Sequence, residues 1–270
     1  MKLGVRAHDY GKHEVEVLAD ILKKEGYEAA QIAIPRSFSG VESFEEISED
    51  LLYRMKEAFE ARNIEIAVLS CYQDLGNPDD EIRGKAVDTF KKCLYYSKLV
   101  GARLVGSETS YAHLTKLQKH IWFPYMMDSL KRLAEEAEKQ DVWMAIEPVA
   151  WHPLEDVETT LEVLHELGSD HVKLIFDLAN VLERPDEINQ PVYWEKCFSM
   201  IGDYIETIHL KDFTVGPKGE YQPTLLGEGI MDYEVFKKWL KTRPDMPVMR
   251  EEMNPATAAA DLAFMRKLMQ

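Results

Sequence analysis

Four apolar runs in the second half of the chain stop on residues that can ligate a metal: AIE at Glu147, IFD at Asp177, IHL around His209 and MRE at Glu251. Each alone has an ordinary explanation, because carboxylates and histidines cap loops and helix starts throughout proteins. Brought to one point, three carboxylates would repel one another strongly, and a divalent cation resolves that conflict. Three oxygen donors and one imidazole suit a hard-to-borderline ion, with Mn²⁺ preferred and Mg²⁺, Co²⁺ or Zn²⁺ as alternatives. Strand alternation bears on the last ligand. With Val248 facing out and Met249 in, Glu251 faces in and its neighbours Arg250 and Glu252 face away, whereas a slip of one residue would present Glu252.

These residues need a framework that gathers strand ends. Short apolar runs alternate with amphipathic stretches in eight strand–helix units. The strands are expected at 2–7, 30–34, 64–70, 103–106, 142–146, 172–176, 205–210 and 247–249. The helices between and after them are expected at 14–25, 48–62, 80–100, 123–140, 157–167, 193–201, 233–240 and 256–268. Such alternation implies parallel strands joined by right-handed crossovers. The runs IAVLS and KLIF are apolar on successive residues, as strands buried on both faces are. No Gly-rich phosphate turn follows the first strand, which argues against a doubly wound open sheet. The expected fold is a single (β/α)8 TIM barrel over residues 1–270, whose strand C-termini converge on one mouth. In LGEGIMDY, Asp232 is expected to cap the helix that follows.

Composition narrows the partners. The 270 residues are 46% hydrophobic and 30% charged, enough for a large core, and the formal net charge of −16 disfavours a nucleic-acid partner. No apolar run approaches the roughly 20 residues that cross a bilayer, so no membrane partner is expected. The first residues, Met1-Lys2-Leu3-Gly4-Val5, enter a strand pattern without the segments of a secretory signal. Cys71, Cys93 and Cys197 lack CxxC spacing and read as reduced, buried thiols. A cytoplasmic location is expected. Homo-oligomerisation is left open.

The segments IEPVAWHPL, IFDLANVL, HLKDF, LGEGIMDY and MREEM together resemble the sugar-phosphate isomerase/epimerase superfamily, the xylose-isomerase-like barrels related to ketose 3-epimerases. The resemblance covers essentially the whole chain. It implies that Glu147, Asp177, His209 and Glu251 bind one divalent ion, with Glu147 and Glu251 as the acid/base pair acting on a small sugar or polyol, perhaps phosphorylated. His8, Glu108, His152, Asn180 and Lys211 are candidates for gripping substrate hydroxyls. Lys211 could instead orient Asp212 or meet a phosphate.

The chain also departs from the ketose 3-epimerases. They place a substrate-holding histidine three residues after the sixth-strand Asp, where Asn180 stands here. They carry an arginine shortly after the seventh-strand His, where Lys211-Asp212 and Gly216 stand. Three alternatives follow: an inosose-type dehydratase, a barrel that binds sugar without catalysis, and an endonuclease-IV-like repair enzyme. The last would need many more metal-binding histidines than these strand ends supply.

Overall fold

The computed structural model describes residues 1–183, 188–217 and 220–268. Eight parallel strands close into a barrel in the order β1-β10-β7-β6-β5-β4-β3-β2. They are β1 (Lys2–Arg6), β2 (Ala29–Ile32), β3 (Glu65–Ser70), β4 (Leu104–Glu108), β5 (Trp143–Glu147), β6 (Val172–Asp177), β7 (Ile205–Leu210) and β10 (Pro247–Arg250). Two further strands, β8 (Asp212–Val215) and β9 (Tyr221–Thr224), pair antiparallel outside the barrel. The helices are α1 (Val15–Glu25), α2 (Ile34–Ser37), α3 (Glu49–Glu60), α4 (Asp80–Val100), α5 (Lys116–Gln140), α6 (Val157–Leu167), α7 (Gln190–Ile201), α8 (Glu234–Leu240) and α9 (Ala258–Leu268). The expected barrel is present, with most boundaries within two residues.

Two differences from the expected elements have physical causes. The helix expected from Phe123 begins at Lys116, because Thr115 and Gln118 form a reciprocal capping box that satisfies the first turn. Pro124 therefore lies inside α5, where its missing N–H leaves one helical bond unmade. The β8–β9 hairpin was not expected at all. It is short, and Pro223 in β9 weakens the strand pattern, as proline does outside central strands.

The barrel interior is filled by Ala29, Ala67, Val68, Leu104, Ala145, Ile175 and Met249. Two glycines make that filling possible. A Cβ on Gly4 of β1 would run into the Met249 side chain, and one on Gly106 of β4 would run into Ile175. At the N-terminal face, Arg103 bridges Glu65 at 2.6 Å and Glu206 at 3.3 Å. This packed plug matters for function, since alternation carries each inward row one step higher to the mouth. Above Ala145 comes Glu147, above Ile175 comes Asp177, and above Met249 comes Glu251.

Cys71, Cys93 and Cys197 are all buried and unpaired. No helix among the described residues is long and apolar enough to cross a membrane.

Candidate metal centre

Glu147, Asp177 and His209 end β5, β6 and β7 with their side chains buried. One ligand atom from each falls within 4.8 Å of the others. Asp177 is fixed from below: its Oδ1 accepts the backbone N–H groups of Ala179 at 2.7 Å and Asn180 at 3.0 Å. That arrangement leaves Oδ2 free of hydrogen bonds and aimed into the mouth. Glu147 Oε1 accepts the Asn180 side-chain amide at 2.7 Å. His209 Nδ1 lies 3.1 Å from Glu147 Oε2 and 3.3 Å from Glu251 Oε1. Neither of its ring nitrogens makes a hydrogen bond. Buried polar atoms left without partners are uncommon in folded proteins. One ligand atom each from Glu147, Asp177 and His209 converges on one small space, so the donor set fits a single divalent ion.

Glu251 reaches the same space, but its second oxygen turns to Lys211, whose Nζ donates to Oε2 at 3.4 Å. Lys211 is itself buried and sits 3.1 Å from Asp177 Oδ2 and 3.6 Å from Glu252 Oε1. The suggestion that it orients Asp212 does not hold. The Asp212 carboxylate instead accepts backbone N–H groups from Phe213, Gly227, Gly229 and Met231, tying the LGEGIMDY loop to the barrel rim. In that loop Asp232 Oδ1 accepts the Glu234 N–H at 2.9 Å, a capping contact made from one residue before the assigned cap, Tyr233.

Alternation divides the end of β10 cleanly. Arg250 points outward, where its Nε donates to Asp261 of α9 at 2.8 Å. Glu251 points inward and is buried. Glu252 follows with a positive φ of 53° and swings to the rim, accepting the Tyr221 hydroxyl of β9 at 2.8 Å.

Of the proposed hydroxyl-binding residues, His8 and His152 each have a buried Nδ1 without a hydrogen bond. His152 Nδ1 is 3.7 Å from Glu108 Oε2. Asn180 donates one amide N–H to Glu147, which leaves its Oδ1 and second N–H for other partners.

The electrostatics follow from burial and crowding. Burial draws the His209 imidazole down, but the carboxylates of Glu251 and Glu147 outweigh it and bring it up to about 9. Burial lifts Asp177 to about 6 against the pull of Lys211. Burial, then the charges of Glu147 and Glu251, push Glu108 up to about 8. Burial opposes ionisation of Glu251, yet His209, Lys211 and Arg6 hold it well below the usual carboxylate range. His8 and His152 are drawn down to about 4, chiefly by burial, and so are neutral at pH 7.

Several residues at the mouth escaped the sequence reading. A cavity of about 150 Å³ opens beside Glu251 and is walled in part by Arg6, Arg36, Tyr72 and Tyr111. Arg6 was legible in principle, since it stands two residues after inward-facing Gly4, but it lies inside an expected strand rather than at its end. Arg36 sits on α2 and Tyr72 on the loop after β3, and only the folded barrel sets their approach.

A closed parallel barrel with a carboxylate–imidazole cluster at the C-terminal ends of its strands defines a class of barrels able to hold a metal. The chain belongs to the xylose isomerase-like TIM barrel family, whose model matches residues 19–268. It is similar to L-ribulose-5-phosphate 3-epimerase UlaE of Shigella boydii, at 23% identity over 170 residues. That match covers 62% of this chain and 55% of the relative, so the chain aligns with little more than half of it. The fold is shared with D-psicose 3-epimerase of Clostridium cellulolyticum H10, solved with D-tagatose (TM-score 0.76, 17% identity, all of both chains). It is shared as well with the IOLI protein solved with a bound zinc atom (TM-score 0.75, 20% identity, 99% of this chain and 96% of that one).

Proposed function

We propose that this protein is a divalent-metal-dependent isomerase or epimerase of a small sugar, held as one barrel domain and working by proton transfer beside a carbonyl. The observation that carries the reading is the pair of carboxylates, Glu147 and Glu251, that both approach His209 Nδ1, at 3.1 and 3.3 Å. A divalent ion, Mn²⁺ by preference for this oxygen-rich donor set, would be held by Glu147, Asp177, His209 and Glu251. Bound there, it supplies Lewis-acid stabilisation to the oxygens of an enediolate.

The residues then divide the work. One of Glu147 and Glu251 takes the proton from the carbon beside the carbonyl, and the other returns a proton to the opposite face or to the neighbouring carbon. The first outcome is epimerisation; the second is isomerisation, which balances when the hydroxyl proton also passes from the one oxygen to the other. Asn180 fixes the orientation of Glu147 through its 2.7 Å bond. Neutral His8 and His152 offer both a donor and an acceptor to sugar hydroxyls. The UlaE and D-psicose 3-epimerase likenesses support an epimerase reading over a binding protein. Free, buried cysteines support a reducing, cytoplasmic setting.

The experiment is solvent-deuterium incorporation into a panel of ketoses with Mn²⁺ present, followed by proton NMR. Deuterium at the carbon beside the carbonyl, with a new epimer or isomer, is the expected result. Loss of water with a new carbonyl compound would identify a dehydratase instead. Exchange into none of the sugars by metal-loaded protein would remove the enzymatic reading.

A further inference from the structure

The cavity beside Glu251 has a wall of a different character from the metal centre. Besides the carboxylates of Glu251 and Glu108, it is lined by two guanidinium groups, Arg6 from β1 and Arg36 from α2, and by Tyr72, Gln73 and Tyr111. Arg6 is already engaged. Its Nε donates to Asp9 Oδ1 at 2.8 Å, and its Nη1 lies 3.6 Å from Glu251 Oε1. Arg36 is different. It pairs with no carboxylate among the described residues, and its Cζ lies 4.8 Å from the centre of the Tyr72 ring. The Tyr72 hydroxyl is held in turn by Gln31, whose Nε2 donates to it at 3.1 Å. The stacking platform under Arg36 is therefore anchored to the buried end of β2.

A guanidinium is a rigid fork of donors that matches the oxygens of a phosphate or carboxylate, and stacking on an aromatic ring holds that fork in place. In a chain of net charge −16, an unpaired arginine at the rim of an acidic mouth supplies the local positive field that an anion needs. Glu251 lines this cavity and also reaches His209, so a substrate with its reacting carbons at the metal centre would extend its other end toward Arg36.

We propose that the substrate is an anionic sugar whose terminal oxyanion, a phosphate monoester or a carboxylate, docks on Arg36 in the cavity next to the metal centre. The proposal rests on the sugar isomerase reading above for what happens at the other end of the molecule.

The test uses Mn²⁺-loaded protein and three probes: L-ribulose 5-phosphate, a ketohexuronate and uncharged L-ribulose. Binding is measured by calorimetry for the wild type, Arg36→Gln and Arg36→Lys. Arg36→Gln should weaken binding of a charged probe by about tenfold or more, the loss of one charge-assisted hydrogen bond, and leave L-ribulose unchanged. Arg36→Lys, which keeps the charge but not the fork, should fall between. Whichever charged probe shows the Arg36 dependence names the phosphate or the carboxylate as the source. Equal effects on charged and uncharged probes, or no effect on any, would overturn the proposal. Deuterium exchange is read in the same samples. Arg36-dependent anion binding without exchange into any sugar would sink the enzymatic reading and leave the anion subsite. Exchange into the sugars with no Arg36 dependence in binding would do the reverse.

Discussion

The ammonium of Lys211 stands 3.1 Å from Asp177 Oδ2 at the bottom of the mouth, both groups buried. It makes no hydrogen bond there and donates instead to Glu251 Oε2. A cation held within the protein thus shares the carboxylates that a metal ion would use. Burial opposes the charge on Lys211, but Asp177 and Glu251 outweigh it and keep the amine protonated. This arrangement explains how four acidic side chains, Glu147, Asp177, Glu251 and Glu252, stand together around one opening.

Replacing Lys211 with Met should therefore separate stability from metal binding. Without the ammonium the buried carboxylates lose their compensation, and breaking a buried pair costs about 3–5 kcal/mol. The chelated variant should melt well below the chelated parent. Mn²⁺ affinity should rise, because a like charge next to the ion is gone. Differential scanning calorimetry with and without Mn²⁺ reads both effects. A variant that melts like the parent when chelated would mean Lys211 does not neutralise the cluster.

Purified protein should take up about one divalent ion per chain, since Glu147, Asp177 and His209 offer one converging set of donors. An ion bound only by the folded state stabilises it by roughly 2.7 kcal/mol at 100 times its Kd. Elemental analysis and melting with added chelator measure this. An unchanged melting temperature on adding Mn²⁺, together with no retained metal, would count against the site.

Stability of the metal-free protein should fall as pH rises from about 5 to about 9. Asp177 is raised from 3.8 to about 6, Glu108 from 4.5 to about 8 and His209 from 6.5 to about 9. In each case the folded state holds its proton more tightly, so the stabilisation is full below the unfolded value and is lost as pH passes the folded one. Glu251 is depressed, and its contribution acts the other way, disappearing only below the ordinary carboxylate range. Bound metal displaces the His209 proton, so its affinity should climb over the same pH interval and flatten the profile. Urea titrations at several pH values, with and without Mn²⁺, would expose a contrary slope.

Glu251→Gln should lower deuterium exchange into the substrate by about 10² to 10⁴ and weaken the metal, the range typical of losing a general acid–base group. Glu252→Gln should have much less effect, because its carboxylate meets Tyr221 at the rim rather than His209. Parallel exchange assays and Mn²⁺ titrations decide. A dead Glu252→Gln beside a near-normal Glu251→Gln would move the catalytic role one residue along the strand.

The sequence by itself determined the barrel and the strand ends that carry the candidate metal donors. Near-continuous burial along β5, β6, β7 and β10, and the helical rhythm between them, are local properties set by which residues must leave water. The side-chain alternation through Met249 likewise carries Glu251 inward and Arg250 outward. What the chain alone did not reveal depends on closure. Lys211 reads equally well as a partner for Asp212 or for a phosphate until β7 lies between β6 and β10 and sets its ammonium on Asp177 and Glu251. Asn180 is a substrate-binding candidate in the sequence, and only the turn after β6 reveals that its amide also meets Glu147 on the neighbouring strand. Arg36 and Tyr72 stand 36 residues apart in sequence, and only the side-by-side packing of β2 and β3 sets one ring under the other's guanidinium. Local patterning states which face a residue takes, whereas the partner it meets there is a long-range fact that the closed barrel alone supplies.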